Sequence, residues 1–303
     1  MGRYLFGPIL SRRFGLSLGI DLSPGAKQCN FDCLYCELEG KKATDSMGEV
    51  AKVEEILEEL REALPRYKPD VITVTANGEP TLYPALLPLI RGINALPHSA
   101  KTLILSNGSR FGEPEVQEAL LEFDMVKFSL DAVSARAFKR VDRAHDSLSI
   151  SQIIQGIKGF RSRYRGDLIA EVLFVKGVND SPEEARAIAR VLKEIAPSRV
   201  DLSTIDRPPA YKVEGVSPQK LEELASAFEG LNLFIAKRQS EEGSLRQRFS
   251  KEEILNTLKK RPWSQEDVER LLEEESKLLW QELLDEGKIE RQEAGGVIFF
   301  RAR

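Results

Sequence analysis

Three cysteines lie close together near the start of the chain, and they are the only cysteines among its 303 residues. Cys29, Cys33 and Cys36 have the spacing C-x3-C-x2-C. Three thiolates this close in sequence can ligate three irons of a four-iron cluster, whereas a fully protein-bound cluster uses four cysteines. The missing fourth thiol would leave one iron open to an external ligand, which is typical of a catalytic cluster.

Other uses of three neighbouring thiols stay open at this point. Zinc prefers four nitrogen or sulfur ligands, and the two histidines, His98 and His145, are distant in sequence. A disulfide framework does not suit an odd number of cysteines in a long chain without a recognisable signal peptide. Three buried, inert cysteines are the remaining alternative, although structural cysteines seldom crowd into eight residues.

The cysteine segment resembles the signature of the radical S-adenosylmethionine (SAM) superfamily, which has an aromatic residue directly before the last cysteine, here Tyr35. The resemblance implies a [4Fe-4S] cluster held by Cys29, Cys33 and Cys36, with SAM chelating the fourth iron. It also implies that one electron splits SAM to a 5'-deoxyadenosyl radical. A one-electron donor such as flavodoxin or ferredoxin would supply that electron.

Further segments resemble the SAM-binding parts of the same superfamily. Residues 77–80, Asn-Gly-Glu-Pro, are similar to a Gly-Gly-Glu-Pro segment that holds the SAM amino group, with asparagine in place of the first glycine. Residues 106–109 resemble its Thr/Ser-Asn-Gly segment, and residues 129–132 stand where relatives contact the SAM ribose or carboxylate. The residues expected to contact SAM are Tyr35, Asn77, Gly78, Glu79, Ser106, Asn107, Ser129, Asp131 and Glu171.

Strand and helix patterns alternate over residues 17–236, which predicts parallel strands joined by helical crossovers. The fold class expected from this alternation and from the resemblance is α/β, a partial (β/α)6 barrel of the radical SAM type. The strands are expected at residues 17–21, 71–75, 102–106, 125–131, 168–176, 199–205 and 231–236.

Several of these strands have one polar face. Lys127, Ser129 and Asp131 alternate with apolar residues, Asp201 and Ser203 share one face of another strand, and Glu171 lies within an otherwise apolar strand. An ordinary eight-stranded barrel fills its interior with branched aliphatic side chains. Polar inner faces therefore favour an open barrel whose interior is the active site, although a strand with one solvated face stays an alternative.

The first residues carry two neighbouring arginines, Arg12 and Arg13, in a segment punctuated by glycine. We interpret residues 4–16 as a solvated turn or, alternatively, as a lid with anion-binding arginines. Together with the other motifs, residues 3–236 resemble most the branch of the superfamily that includes the wyosine (tRNA tricyclic base) synthases. Those synthases carry further cysteines for a second cluster, so their substrate cannot be carried over. Modification of another RNA or of a protein is the substrate class left by the resemblance.

After the last predicted barrel strand, the alternation of strands and helices gives way to short helices and a hairpin. We therefore expect a barrel domain over residues 1–236, a charged linker over 237–249 and a small domain over 250–303. Ser250 and Glu253 form a capping box at the start of the first helix of that small domain. Three helices and a terminal hairpin, turning at residues 295–296, resemble a winged helix.

Charge limits the partners of both regions. The chain has a formal net charge of −4 and a pI near 5.6, which gives no general attraction to nucleic acid or anionic membrane. Residues 250–303 contain thirteen acids and ten bases, a net charge of −3, so the small domain is expected not to bind duplex DNA.

No apolar run reaches the ~18 residues of a membrane span. The first residues lack a signal-peptide core, and reduced thiols suit the cytoplasm, where we expect the chain. The alternative function is a non-catalytic iron-sulfur or zinc sensor whose winged helix binds nucleic acid.

Overall fold

An eight-stranded sheet organises most of the chain in the computed structural model, which describes residues 2–11, 13–235, 246–294 and 297–303. Its strands are adjacent in chain order. They are β1 (Leu5–Ser11), β2 (Gly15–Asp21), β3 (Val71–Thr75), β4 (Lys101–Ser106), β5 (Met125–Ser129), β6 (Asp167–Phe174), β7 (Arg199–Thr204) and β8 (Leu233–Ile235). Strands β2 to β8 are parallel and β1 is antiparallel to β2, so β1 and β8 are the two edges of an open barrel.

Helices cross over between the parallel strands. They are α1 (Val53–Tyr67), α2 (Leu86–Asn94), α3 (Pro114–Leu120), α4 (Ala135–Val141), α5 (Ile150–Arg163), α6 (Pro182–Ile195) and α7 (Pro218–Ala225). Local sequence explains their ends: α6 begins after Ser181, whose side chain accepts a hydrogen bond from the Glu184 N–H, and has Pro182 in its first turn. The alternation of strands and helices confirms the predicted α/β partial barrel, which has seven parallel strands and one antiparallel edge strand.

The first strand and the fourth helix were not expected from the sequence. The turn or lid expected before residue 16 is wrong for residues 5–11, which form β1, and Arg12 lies outside the described residues. Leu5 and Ile9 are buried, because β1 covers the edge of β2. The expected linker is described only from residue 246 onward, and the expected turn at residues 295–296 also lies outside the described residues.

Three helices and a second sheet make up a C-terminal unit. The helices are α8 (Lys251–Lys260), α9 (Gln265–Leu271) and α10 (Glu274–Asp285), and the strands are β9 (Trp263–Ser264), β10 (Ile289–Ala294) and β11 (Val297–Ala302), ordered β10-β11-β9. Four aromatic rings pack in its core with neighbouring centroids 5.0–5.9 Å apart: Trp263 stacks on Trp280, and Phe249 and Phe300 meet these two rings edge to face. The expected helices and hairpin strands are therefore present, while their assignment to a winged helix, and the division into domains, stay predictions.

The C-terminal unit packs on the barrel through α8. Glu253 has an almost fully buried side chain, and its carboxylate accepts hydrogen bonds from the Tyr67 hydroxyl at 2.7 Å and from Arg66 at 2.8 Å. The Gly7 N–H donates to the Thr257 hydroxyl at 3.0 Å, and Leu10 of β1 joins the core of the C-terminal unit. Since α1 and β1 belong to the barrel, these contacts join the two parts of the chain.

We expect Glu253→Ala to lower the free energy of unfolding by about 2 to 4 kcal/mol, because it removes a helix cap and leaves the Tyr67 hydroxyl without its acceptor. Burial raises the pKa of Glu253, but hydrogen bonds from the Ser250 N–H, Tyr67 and Arg66 lower it to about 2 overall. The unfolded-state pKa is about 4.3, so this stabilisation is present above that pH and is lost as the pH falls toward 2. Urea unfolding at pH 7 and pH 3 measures both effects.

Glu252, in the same helical turn, is exposed, so Glu252→Ala is the matched control and should change stability little. A Glu253→Ala protein as stable as the control at pH 7 would contradict this account of the interface.

No helix within the described residues is long and apolar enough to cross a membrane.

Candidate active site

The loop that joins β2 to α1 carries all three cysteines, which are half-buried and form no disulfide. The Phe31 N–H donates to Cys29 Sγ at 3.4 Å, and the Cys33 thiol donates to Asp142 Oδ1 at 3.7 Å. The Cys36 N–H donates to the Cys33 carbonyl at 3.1 Å, closing a tight turn. The loop starts at the carboxyl end of β2, which is the end of a parallel barrel where active sites form.

Burial keeps the thiols of Cys29 and Cys33 protonated without a metal. It raises the pKa of the Cys29 thiol to about 12, with a further contribution from the Glu79 carboxylate. Burial and then Asp142 raise the pKa of the Cys33 thiol well above its ordinary value. A nucleophilic cysteine needs a lowered pKa, whereas a metal displaces the protons itself and offsets the buried negative charge. These thiols therefore suit metal ligation better than nucleophilic catalysis.

The arrangement of the thiols fits a cluster rather than a single ion. In the described part of the chain, no three His, Cys, Asp or Glu side chains converge closely enough to hold one metal ion. A four-iron cluster does not need such convergence, because each thiolate binds a different iron. The thiols of Cys29 and Cys36 are nevertheless close enough to contribute to the raised pKa of Cys33. The donor set thus fits three corners of one cluster.

Lys27 is a member of this site that the sequence reasoning missed. Its side chain is 2% exposed, and its Nζ donates to the Glu39 carbonyl at 2.8 Å. Burial lowers its pKa, but Cys36, Cys29 and then Asp32 raise it, and the net shift is upward. Lys27 therefore places a permanent cation beside the thiols. Only its closeness to Cys29 in the sequence could have indicated this.

Residues 77–79 form a tight turn against the cysteine loop. The Asn77 N–H donates to Asp21 Oδ1 at 2.7 Å, and the Glu79 N–H donates to the Gln28 carbonyl at 3.0 Å. Gly78 has φ +140°, and a Cβ there would lie 1.8 Å from the Gln28 carbonyl oxygen, so only glycine fits. Asn77 Oδ1 is enclosed and has no hydrogen-bond partner within the described residues. An enclosed acceptor of this kind fits an amino group, which SAM carries.

The Glu79 carboxylate joins the ends of β3 and β4. It accepts hydrogen bonds from the Thr81 N–H and hydroxyl at 2.9 and 2.6 Å, from the Ser106 hydroxyl at 2.7 Å and from the Asn107 N–H at 2.7 Å. Burial raises its pKa although these bonds lower it. The Asn107 amide in turn donates to Asn30 Oδ1 at 2.8 Å. Glu79 therefore joins two other predicted SAM-binding residues, Ser106 and Asn107, in one network with the cysteine loop.

Tyr35 and Asp131 are in direct contact. The Tyr35 hydroxyl donates to Asp131 Oδ2, and the Leu173 N–H donates to Asp131 Oδ1 at 2.7 Å. Burial raises the pKa of Asp131 to about 7. Ser129 is half-buried and lines the same small cavity as Asp131. Because both Asp131 oxygens have protein partners, this carboxylate positions Tyr35 and β6 as well as lining the cavity.

Glu171 lies in an ion-pair network inside the barrel. Its Oε1 accepts from Arg13 at 2.7 Å and from Lys127 at 2.9 Å. Lys127 also lies 3.2 Å from Asp201, which is fully buried. Burial raises the pKa of Glu171, but Lys127 and Arg13 lower it to about 2. The polar side chains predicted on three neighbouring strands, Lys127, Glu171 and Asp201, are therefore in contact. The contacts of Glu171 are with Arg13 and Lys127, and they give no support to its predicted contact with SAM.

The C-terminal unit also reaches this end of the barrel. Lys260 donates to Asp21 Oδ2 and lies 3.3 Å from the Pro24 carbonyl. Asp21, through its other oxygen, holds the N–H of Asn77. Arg207, just after β7, bonds both oxygens of Glu37 at 3.0 Å. Neither contact was foreseen, because 239 and 170 positions separate the two pairs.

A cavity of about 680 Å³ lies at the other end of the barrel. Residues from the first positions of β3 to β7 line it: Val71, Lys101, Met125, Asp167 and Arg199. None of the cysteines or predicted SAM-binding residues does so. The chemistry of the side chains and the polarity of the strands place the active site at the carboxyl ends, so we assign no catalytic role to this cavity.

Comparison with known proteins agrees with this geometry. The sequence profile of the Radical SAM superfamily matches residues 24–204. A UPF0026 protein of Helicobacter pylori strain J99 is 46% identical over 300 residues, covering 98% of this chain and 97% of that protein. A UPF0026 protein of Methanocaldococcus jannaschii is 29% identical, covering 97% and 94%.

Solved structures share the fold at low identity. Streptococcus suis SuiB bound to precursor peptide SuiA matches with a TM-score of 0.58 and 17% identity, covering 74% of this chain and 49% of that one. TYW1 with a lysine-pyruvate adduct matches with a TM-score of 0.51 and 15% identity, covering 70% and 72%. The match to the family profile over more than half of the chain identifies it: this protein belongs to the radical SAM superfamily, whose enzymes bind a [4Fe-4S] cluster and SAM.

Proposed function

We propose that this enzyme holds its [4Fe-4S] cluster through Cys29, Cys33 and Cys36 and cleaves SAM reductively. The observation that supports this most is that the only three thiols of the sequence share one loop at the carboxyl end of the barrel. When bound, the cluster supplies the electron that splits SAM into methionine and a 5'-deoxyadenosyl radical. We propose flavodoxin or ferredoxin as the electron donor.

We propose that the protein's own residues bind SAM and orient it. Asn77 and Gly78 offer an enclosed acceptor and an approachable backbone for the amino group, and Glu79 keeps that turn against Ser106 and Asn107. Tyr35, Ser129 and Asp131 would line the remainder of the site. Glu171 stands further inside, and we keep it only as a weaker candidate for the ribose.

The substrate we propose is an RNA or a protein positioned by the C-terminal unit. The net negative charge of residues 250–303 supports a role other than binding duplex DNA. An oxygen-labile cluster suits the reducing cytoplasm, where we place the enzyme. The alternative of a non-catalytic sensor gains no support from the relatives described above.

The test is anaerobic reconstitution of the full chain with iron and sulfide, followed by addition of SAM and dithionite. We expect a brown protein with the absorption of a [4Fe-4S] cluster and formation of 5'-deoxyadenosine, because radical SAM enzymes commonly cleave SAM slowly without substrate. Liquid chromatography with mass detection measures the product.

Omitting dithionite is the control, since cleavage requires an electron. A protein that takes up one zinc and no iron, or that binds iron and SAM without yielding 5'-deoxyadenosine, would contradict the proposed function.

A further inference from the structure

Arg261 is the first residue after α8, and its side chain lies near charged residues of the barrel, among them Arg207 and Glu37. The Arg261 N–H closes the helix on the Thr257 carbonyl at 2.8 Å. Its guanidinium lies close enough to Arg207 and Glu37 for both to act on its charge. Glu37 directly follows the cysteine ligand Cys36 in the sequence. The C-terminal unit thereby delivers a guanidinium group to the edge of the cluster loop.

This guanidinium lacks a direct partner. Arg261 Nε is enclosed, and within the described residues it has no hydrogen-bond partner. No ion pair joins its side chain to a carboxylate in the same part of the chain, whereas neighbouring Arg207 bonds both oxygens of Glu37 at 3.0 Å. The charge of Arg207 is therefore neutralised by Glu37 of the cysteine loop, whereas Arg261 makes no such contact within the described residues.

Carboxylates nearby do not neutralise Arg261. Asp267, Glu37 and Asp206 raise its pKa, but burial and then Arg207 lower it more, to about 10 overall. Asp267 is already engaged, since its Oδ2 accepts from the Ser264 N–H at 2.8 Å and from the Ser264 hydroxyl at 3.0 Å. Arg261 is thus a half-buried side chain with one enclosed donor, Nε, and within the described residues its guanidinium has no ion-pair contact to a carboxylate.

An enclosed donor without a hydrogen-bond partner on a half-buried cation costs stability, and replacing the residue by a neutral side chain would ordinarily relieve part of that cost. A bound ligand that supplies an anion would remove this cost in stability. A guanidinium presents several N–H donors in a plane that matches the oxygens of a phosphate. Its nearness to Glu37 would place that anion beside the loop that carries the cysteines.

We propose that Arg261 binds a phosphate group of the substrate. The inference rests on the proposed function for the identity of the reaction, and it narrows the substrate to a molecule that carries a phosphate. The same phosphate chemistry occurs in a nucleic-acid backbone and in a small phosphorylated metabolite. Arg261 would hold the substrate's phosphate, and the reacting carbon would lie over the SAM site.

Binding of inorganic phosphate to the full-length, iron-loaded chain tests the proposal by titration calorimetry. We expect Arg261→Gln to weaken phosphate binding at least tenfold, because it removes a charge-assisted hydrogen bond. Arg261→Lys keeps the charge and should recover part of the affinity. Lys259→Gln removes an equal charge from an exposed position two residues away, and should leave binding unchanged. Acetate serves as the carboxylate probe and should bind more weakly than phosphate.

Thermal unfolding is the second measurement. We expect Arg261→Gln to unfold at the same or a higher temperature than the wild type without phosphate, since a half-buried cation with an unpartnered Nε has been removed. Added phosphate should raise the unfolding temperature of the wild type more than that of the variant. A large destabilisation by Arg261→Gln would instead show a structural role and overturn the inference.

Equal phosphate affinity in the wild type and Arg261→Gln, or equal weakening by Lys259→Gln, would also overturn it. Formation of 5'-deoxyadenosine without substrate, measured on the same samples, separates this failure from failure of the proposed function. Competition between phosphate and a mixed-sequence single-stranded RNA would support a nucleic-acid phosphate. Phosphate binding that this RNA does not displace would support a small phosphorylated substrate.

Discussion

Replacing any one of Cys29, Cys33 and Cys36 with alanine will abolish formation of 5'-deoxyadenosine. Each thiolate is proposed to be the only protein ligand of its iron, so losing one leaves a second iron without protein support. We expect iron content and cluster absorption to fall and SAM cleavage to drop below detection in all three variants. The assay is the anaerobic reconstitution described above.

The fold should survive these changes. The thiols are half-buried, and the hydrogen bonds of Cys29 and Cys33 are long, at 3.4 and 3.7 Å. Far-UV circular dichroism should therefore stay unchanged. Glu39→Ala is the matched control, because Glu39 lies on the same loop with an exposed side chain and uses only its carbonyl toward Lys27. One cysteine variant with wild-type turnover would show that the cluster is held elsewhere.

Glu79→Ala will raise the dissociation constant for SAM about ten- to hundredfold, the equivalent of one good charge-assisted hydrogen bond. The physical reason is the four hydrogen bonds of 2.6–2.9 Å that the carboxylate accepts from Thr81, Ser106 and Asn107. Without them the turn at residues 77–79 loses its connection to β4. The cluster should still assemble, because Glu79 is not a proposed iron ligand. Equilibrium binding of SAM to the reconstituted protein measures the effect.

Glu79→Gln makes this test sharper. An amide oxygen can still accept from Thr81 and Ser106, but the amide nitrogen would face the Asn107 N–H, which is also a donor. We therefore expect this variant to lose SAM affinity as well, although its shape is unchanged. Glu115→Ala, which removes an exposed carboxylate from α3, is the control.

Asp131→Ala should weaken SAM binding in the same direction, since it frees both Tyr35 and the Leu173 N–H. If SAM bound equally well to the Glu79 and Asp131 variants and to the wild type, the cofactor would have to lie elsewhere in the barrel.

Residues close together in the sequence were sufficient to predict a cluster-binding site. The spacing of Cys29, Cys33 and Cys36 and the neighbouring Tyr35 are contained in eight residues, so they indicate a cluster site without knowledge of the fold. Alternation along β5 is equally local: successive side chains of a strand point to opposite faces, and Lys127 therefore shares a face with Ser129. The predicted α/β partial barrel followed from the alternation of strand and helix patterns together with the resemblance to the radical SAM superfamily.

Elements stabilised by distant partners could not be predicted in this way. Strand β1 exists because Leu5–Ser11 pairs with β2 and packs on the C-terminal unit, and its own sequence is interrupted by Gly7 and Pro8. Helix α4 has only seven residues, too few for a clear helical period. In both cases tertiary packing provides the free energy that local propensity lacks.

The tertiary structure also decided how the predicted residues share their roles. The sequence made Glu79 a candidate for the SAM amino group through its motif and Glu171 a weaker candidate for ribose or substrate. Packing separates them, because Glu79 joins the SAM turn to β4 whereas Glu171 is held by Arg13 and Lys127 inside the barrel. The contact between Lys260 and Asp21 spans 239 positions. A charge pair of that separation carries no sequence signal, since only the folded chain determines which of many carboxylates a given lysine meets.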